Sequence, residues 1–441
     1  MKLLPHQIED AQFLASKSFA GCFSGMGSGK TLTALEACRH VMVLGDTVLI
    51  VGPPISLFMW AAEFTRHLDI PAQIILTGKQ IIKHGPGAVI MSYDIATKRK
   101  DELKQLGAKV LICDESHALK NTTAKRTIAI LGANGLCESV AHTFLLTGTP
   151  VTRWNDDIFP FMCRAGADVL TKKIGKLRLE SFRLRYCLTE KKKFSEKQQF
   201  PTVVTVGNRN TTELNELLFD GGLAVRRELA DVWAAMPDMT INYLRVDLDK
   251  TPELKILLKD LDGKSMNQIR EDLANKEEHM ATTRRLIGMA KVKHSVKEIV
   301  DRVEAGVTPI LVGAWHTDVI RHIEEGLDAQ GIDCDVIDGS RSMAMKERAA
   351  NAFNDGRIDV LVGQIAAMGV SLNLQGGSHI IEVETDWSPA IMDQFRARCL
   401  RMGQKNHVHI DVFEADTKLD EAVKKISARK RAGQSTIMEQ A

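Results

Sequence analysis

Three glycines at alternate positions, Gly25, Gly27 and Gly29, separate an apolar stretch from a good helix former, and Lys30 and Thr31 follow at once. Residues 24–31 read S-G-M-G-S-G-K-T. Few folds accommodate that run. Residues 19–23 (F-A-G-C-F) suit a short buried strand and residues 32–38 suit a helix. The glycines therefore mark a tight strand-to-helix turn whose backbone can approach an oxyanion closely. A helix start beyond such a turn points free N–H groups and a partial positive charge at the anion. Lys30 is then placed for the β- and γ-phosphates of a nucleotide, and the Thr31 hydroxyl for Mg²⁺. The rival reading is an ordinary glycine-rich turn; strand, turn and helix in the right order argue against it.

A second segment completes the chemistry. Residues 109–113 (K-V-L-I-C) read as a buried strand that ends at Asp114 and Glu115. Carboxylates at the C-terminal end of a strand stand where open α/β sheets place their ligands. Asp114 would hold Mg²⁺, directly or through water, and Glu115 would orient and deprotonate the attacking water. The pair implies hydrolysis of a nucleoside triphosphate and leaves open what that hydrolysis drives.

A chain of 441 residues has room for two core domains and an insertion. Its net charge of +2 gives no global basic signal. The basic residues cluster instead: residues 171–199 hold ten Lys/Arg against three Glu, and Lys424, Lys425, Arg429, Lys430 and Arg431 lie near the end. Either cluster could touch phosphates, although a charge run is more often a solvated face. The eight cysteines form no C-x-x-C pair and no His/Cys ligand spacing, which argues for reduced thiols and against a zinc site. No apolar run approaches membrane-spanning length, and residues 1–11 do not read as a signal peptide.

Apolar strand candidates at 48–51, 88–91, 110–113 and 143–146 alternate with helical stretches, the pattern of a parallel sheet covered on both faces. From 152 to about 294 the alternation stops. That part reads as helical and charged, with strands only at 203–206 and 241–246 and long surface helices over 250–279. Alternation resumes at 310–313, 335–337, 360–363, 379–383 and 408–412. The expected class is α/β, with a nucleotide-binding lobe at 1–160, a helical insertion at 161–294, a second lobe without a phosphate loop at 295–415, and a basic helix or tail at 416–441.

Further motifs follow in order. Residues 146–150 read L-T-G-T-P after a strand, where the Thr147 and Thr149 hydroxyls can sense the Mg²⁺ site and couple it to the other lobe. Gln394, Arg398 and Arg401 are spaced by four and three, which puts them on one face of a helix. Two arginines projecting at a phosphate are what arginine-finger catalysis requires. Read alone, that spacing describes a salt-bridged surface helix equally well.

These segments together resemble the SWI/SNF-related DNA translocases of the superfamily-2 helicases. Ser24 departs from the strict phosphate-loop pattern by one small residue and is close to the A-x-x-G-x-G-K-T form of that superfamily. Residues 4–7 (L-P-H-Q) resemble its Q motif, in which the glutamine reads adenine, here Gln7. Residues 48–60 with Glu63-Phe64, and 90–94 (I-M-S-Y-D), resemble two DNA-contacting motifs. Residues 114–121 (D-E-S-H-A-L-K-N) resemble the extended motif II and 145–151 motif III. Matches continue through 309–315, 338–340, 347–348, 353–356, 366–374, 386–389 and 394–404. The middle segment, with 182–187, 213–227 and Met236-Pro237, is similar to the annealing-helicase or fork-remodelling branch.

The resemblance implies two RecA-like lobes with a helical insertion, ATP and Mg²⁺ as cofactors, and a DNA-stimulated ATPase tracking along duplex DNA. It assigns Gly369 and Gln394 to the nucleotide, and His117 to the link between the ATP site and DNA or motif III. It places Pro53, Ser56, Tyr93, Lys120, Asn121, Ser340, Ser371, Asn373 and Trp387 near the DNA backbone. A helix cap would explain Asn121 as well, and Trp387 reads equally as a stacking or a packing residue. Trp60, spaced helically with Leu57 and Phe64, reads as core, and Arg226 and Arg227 as structural within the inserted helices.

At Gly363-Gln364-Ile365 the small hydroxyl-bearing residues usual for the family are replaced, which puts one contact there in doubt. No accessory module is legible, so the expectation is a minimal monomeric motor of bacterial or phage origin in the cytoplasm. It would bind duplex, forked or branched DNA without sequence preference and with salt sensitivity. A strand-separating helicase on DNA or RNA, and an ATP-gated DNA clamp, remain the alternatives. A metabolic kinase would have no use for the second lobe's motifs.

Overall fold

The computed structural model describes residues 3–193, 200–233, 237–274, 278–368, 372–386, 388–401 and 403–438. Gly369, Ser371 and Trp387 lie outside the described residues. The strands in the first half are β1 (Phe19–Cys22), β2 (Thr47–Gly52), β3 (Ala72–Ile75), β4 (Gly87–Ser92), β5 (Val110–Cys113), β6 (His142–Leu146), β7 (Cys187–Lys192), β8 (Thr202–Asn208) and β9 (Ala224–Val225). In the second half they are β10 (Met239–Arg245), β11 (Ile310–Ala314), β12 (Cys334–Ile337), β13 (Val360–Gln364), β14 (His379–Glu382) and β15 (Val408–Glu414). They form two parallel sheets and one antiparallel ribbon, β7–β8. The chain divides into two units, residues 1–234 with 432–441, and residues 235–431. The α/β class read from the alternation is the class observed.

In the first unit the strand order is β3-β4-β2-β5-β6-β1-β9. The central strands are buried on both faces, which is why they read as unbroken apolar runs. Alternate residues serve opposite faces. Leu49, Val51, Leu111, Cys113 and Leu145 enter one core, and Val48, Ile50, Val110, Ile112 and Phe144 the other.

In the second unit the order is β10-β15-β14-β11-β13-β12. Leu311, Leu361 and Ile410 line one face; Ile310, Val312 and Val362 line the other.

The stretch expected as a linking insertion, 161–294, is shared between the two units. Its first part returns to the first sheet through β9, which pairs with β1 at Gly21 and Cys22. Its last part leads into β10, an edge strand of the second sheet. Strands β3, β7 and β9 carry no apolar run long enough to be read from sequence.

The helices expected on the surface also differ. Pro252–Gly263, Met266–Ala274 and Glu278–Glu304 bury Leu254, Leu261, Ile269, Leu273, Met280 and Ile287 against Leu419, Ala422 and Val423 of the helix Lys418–Met438. Lys291 is buried there, donating to the Phe413 carbonyl at 2.8 Å and lying 3.1 Å from Asp420. A charge-rich sequence hid an amphipathic stripe, because most of the long polar side chains, Lys291 excepted, occupy the outer face.

Candidate nucleotide site

Three loops leave the C-terminal ends of β5, β6 and β1, consecutive neighbours in the first sheet. All strands run parallel, so residues 24–29, 114–117 and 147–150 emerge on one edge. Gly27 and Gly29 have φ of 82° and 85°, and Gly29 caps the helix Lys30–Val41, a backbone that a side chain would strain. The Lys30 ammonium donates to the carbonyls of Ser24 (2.9 Å) and Gly25 (3.0 Å). Thr31 lies in the first turn of the same helix. The Ser28 hydroxyl is buried with no hydrogen-bond partner among the described residues.

Neighbouring elements hold this loop in shape. His6 Nε2 lies 3.0 Å from the Ser28 carbonyl, and buried Gln7 accepts the Leu4 N–H at 2.9 Å, closing the start of the helix Pro5–Ala15 on the loop. Arg226 and Arg227 are not on inserted helices; they follow β9 and border the loop. The Arg227 carbonyl accepts from Gly25 N–H at 2.8 Å, and its own N–H donates to Ser24 Oγ at 3.0 Å. The Arg227 guanidinium reaches Asp10 and Glu9, each at 3.0 Å. Burial raises the Asp10 pKa, and Arg227 partly draws it back.

The carboxylates are set by equally specific contacts. Asp114 Oδ2 accepts from the Trp60 indole N–H at 2.8 Å, and Oδ1 from the Glu115 N–H at 3.0 Å. Burial first, then the Glu115 charge, push the Asp114 pKa upward; Trp60 and Lys30 oppose that shift. Trp60 is core, as its spacing indicated, yet its one polar atom holds the proposed metal ligand. Glu115 adopts φ 47°, ψ 51°, a left-handed conformation uncommon for a residue with a Cβ. Such strain persists where surrounding contacts over-determine it, often at functional sites.

His117 Nδ1 lies 3.1 Å from Glu115 Oε2 and 3.2 Å from Thr147 Oγ1. Thr147 Oγ1 also accepts the Thr149 N–H at 3.1 Å. A Cβ on Gly148 would sit 3.0 Å from Met26 Cγ and 3.6 Å from the Lys30 nitrogen, so the turn packs tightly against the phosphate loop. The three motifs thus form one connected cluster.

The residues expected at DNA fare unevenly. Ser56 is buried and donates to the Pro53 carbonyl at 3.0 Å. Tyr93 is buried too, its hydroxyl donating to the Asp114 carbonyl at 2.7 Å. Tyr93 thus supports the carboxylate segment, and both residues are buried. The Lys120 ammonium donates to the Thr152 hydroxyl, and exposed Asn121 accepts from Thr123 N–H (3.0 Å) and hydroxyl (2.9 Å). Ser340 donates through its N–H and hydroxyl to Asp338.

Gln394, Arg398 and Arg401 do not share a helix. The helix Pro389–Arg396 ends before the two arginines, with Ala397 as its C-cap. The following turns aim both guanidiniums at one carbonyl, that of Leu372, at 3.4 Å each. Arg398 also donates to the Gln394 carbonyl at 3.0 Å and Arg401 to the Asn373 side chain. Buried Gln404 fixes the turn, donating to the Gly377 carbonyl at 2.8 Å and accepting from Lys405 and Asn406 N–H, both at 2.9 Å. A left-handed Gly403 just before it is compatible with that path.

Two family models match the chain: the SNF2-related domain over residues 6–297 and the helicase conserved C-terminal domain over residues 291–403. The chain belongs to the SNF2-related family. Two relatives match nearly the whole chain. The SWI/SNF-related matrix-associated actin-dependent regulator of chromatin subfamily A-like protein 1 of Xenopus tropicalis is 26% identical over 430 residues, covering 95% of this chain and 43% of its own length. The DNA annealing helicase and endonuclease ZRANB3 of Homo sapiens is 25% identical over 435 residues, covering 95% and 39%. The chain therefore spans less than half of these relatives. Among solved structures, the Sulfolobus solfataricus SWI2/SNF2 ATPase core in complex with dsDNA aligns with all of this chain and 94% of that one, at 17% identity and a TM-score of 0.44. The motif resemblance, including its annealing-helicase branch, agrees with these findings. No helix among the described residues is long and apolar enough to cross a membrane.

Proposed function

We propose that this SNF2-family chain is a DNA-stimulated ATPase that translocates on double-stranded DNA and remodels or reanneals forked DNA. The observation that carries the reading is the continuous contact from Glu115 through His117 to Thr147 beside the Lys30 loop. It joins a residue suited to activating water to a motif suited to transmitting the state of the nucleotide. Similarity to a DNA annealing helicase supports the reannealing part of the reading.

The residues fit the nucleotide and its ion. The orphaned Ser28 hydroxyl and the paired Lys30 ammonium are donors that a phosphate oxygen can engage, and a charged acceptor competes well against two carbonyls. Thr31 and Asp114 are hard oxygen donors suited to Mg²⁺, which usually takes few protein ligands beside phosphate and water. When bound, Mg²⁺ would neutralise phosphate charge and favour departure of the γ-phosphoryl group.

The chain's own groups supply the rest. Lys30 positions the phosphates, and Glu115 orients water and accepts its proton. His117, with Nδ1 3.1 Å from Glu115 Oε2, holds that carboxylate in place when its imidazole is protonated. Arg398 and Arg401 would leave Leu372 to stabilise charge on the transferred phosphoryl group. Pro53, Lys120, Asn121, Ser340, Ser371, Asn373 and Trp387 remain the proposed DNA side, with contacts to phosphate that carry no sequence information.

The test is the ATPase rate without nucleic acid and with single-stranded, duplex and forked DNA and RNA, run beside triplex displacement and forked-strand release. Duplex stimulation with triplex displacement is expected. Stimulation by RNA alone would sink the reading.

A further inference from the structure

The basic stretch 171–199 has no part in the nucleotide site, and the structure places its described residues together. The helix Leu179–Tyr186 runs directly into β7, and β8 returns beside it, so that the Arg209 N–H donates to the Tyr186 carbonyl at 3.0 Å. The ribbon's base is firmly held. Arg185 grips Glu213 at 2.9 and 2.6 Å, the Tyr186 hydroxyl donates to the same carboxylate at 2.8 Å, and Thr205 donates to Asp156 at 2.9 Å. Beyond the base, β7 and β8 form a two-stranded sheet of their own among the described residues.

Two properties distinguish this ribbon from an ordinary solvated hairpin. Lys172, Lys176, Arg178, Lys191 and Lys193 are exposed and have no ion-pair partner among the described residues; Lys192 is paired with Glu190 at 3.9 Å. The same segments also leave large apolar side chains open to water: Phe200 is 73% exposed, Leu184 72% and Leu188 50%. At the base, Lys173, Arg185, Arg209 and Asn210 line a hollow of about 330 Å³. Uncompensated lysines alone would suit any phosphate backbone. An exposed aromatic ring in the same ribbon, Phe200, gains little from a duplex exterior but does gain from the faces of unpaired bases.

We infer that the β7–β8 ribbon and the adjoining helix Leu179–Tyr186 bind single-stranded DNA. The lysines neutralise the backbone and Phe200 offers a stacking surface. The inference rests on the DNA reading above and deepens it: a motor on duplex DNA with a separate single-strand surface recognises a junction where the two meet. The ribbon would then read the unpaired arm of a fork.

The experiment uses the full chain. Fluorescence anisotropy measures affinity for oligo(dT), oligo(rU) and a blunt duplex over a salt series, for the wild type, for K191E/K193E and for Phe200→Ala. All three changed positions are exposed, so the fold should survive. The charge reversal is expected to weaken oligo(dT) binding at least tenfold more than duplex binding. It should also flatten the single-strand salt slope by about 1.4, the share of two lost phosphate contacts. Phe200→Ala should weaken oligo(dT) about tenfold with the salt slope kept. Equal losses on oligo(dT) and duplex, no loss in either variant, or wild-type preference for oligo(rU) overturns the inference. Duplex-stimulated ATPase of the wild type is measured in parallel. If it is absent while the ribbon variants lose oligo(dT) selectively, the translocase reading has failed and the ribbon inference has not.

Discussion

Each sheet contains a strand that leads through a loop directly into a helix, and the two loops differ. In the first unit β1 leads through a glycine loop into the helix Lys30–Val41; in the second, β11 leads through Trp315 and His316 into the helix Thr317–Asp328. The first loop carries an ammonium and a partnerless hydroxyl. The second is already occupied by the protein's own anion: buried Glu384 accepts the N–H groups of Trp315 and His316 at 2.9 Å each, and its other oxygen lies 2.7 Å from His316 Nδ1. Gly288 lies so close that a Cβ there would stand 2.4 Å from Glu384 Oε1. One strand-loop-helix unit is left open to an external phosphate, and the other is closed by an internal carboxylate. A shared architecture thus supports a nucleotide site in one sheet and a sealed loop in the other.

Substitutions can break that comparison at either end. The largest effect should come from the second unit's contribution to chemistry: Arg401→Ala is expected to lower kcat by about 10³–10⁵, with ATP binding retained in an equilibrium assay. A kcat within tenfold of wild type would remove Arg401 from the mechanism. Next, Glu115→Gln should bind ATP and lose about 10²–10⁴ in turnover; persistent turnover would mean another group activates water.

On the sealed side, Glu384→Ala should cost about 2–4 kcal/mol in urea unfolding, because two buried N–H groups and His316 lose their acceptor. Nucleotide affinity in the first unit should be unchanged, and a parallel loss of affinity would contradict the assignment of independent roles to the two loops. The smallest effect is expected from Trp60→Phe, which keeps most of the ring and removes the donor to Asp114. About 1 kcal/mol, near fivefold in the Mg²⁺ concentration needed for half-maximal ATPase, is the expected size. No change would show that the indole N–H serves packing alone.

Much of the first site was legible because its chemistry is local in sequence. A phosphate loop needs glycines, a lysine and a hydroxyl within a few residues, at a strand end and a helix start. Asp114 and Glu115 likewise had to follow a strand. The DNA candidates were less legible, since Ser56 turned inward to the Pro53 carbonyl and Tyr93 to that of Asp114. Their side chains can hydrogen-bond in either setting, and spacing does not record which way they point. The arginine pair was found by its spacing, but the spacing misjudged the geometry: a helix ending at Arg396 and a turn held by Gln404 replace the expected helical face.

The sequence by itself determined the α/β class, the positions of all twelve strand candidates and the residues suited to hydrolysis, because periodicity and motif chemistry act over short stretches. Only the tertiary structure decided that Trp60 would hold Asp114, that β9 would bring Arg227 to the phosphate loop, and that Glu384 would close the matching loop of the second sheet. Each of these joins residues more than 50 positions apart. Their pairing depends on strand order and register, which no local pattern encodes.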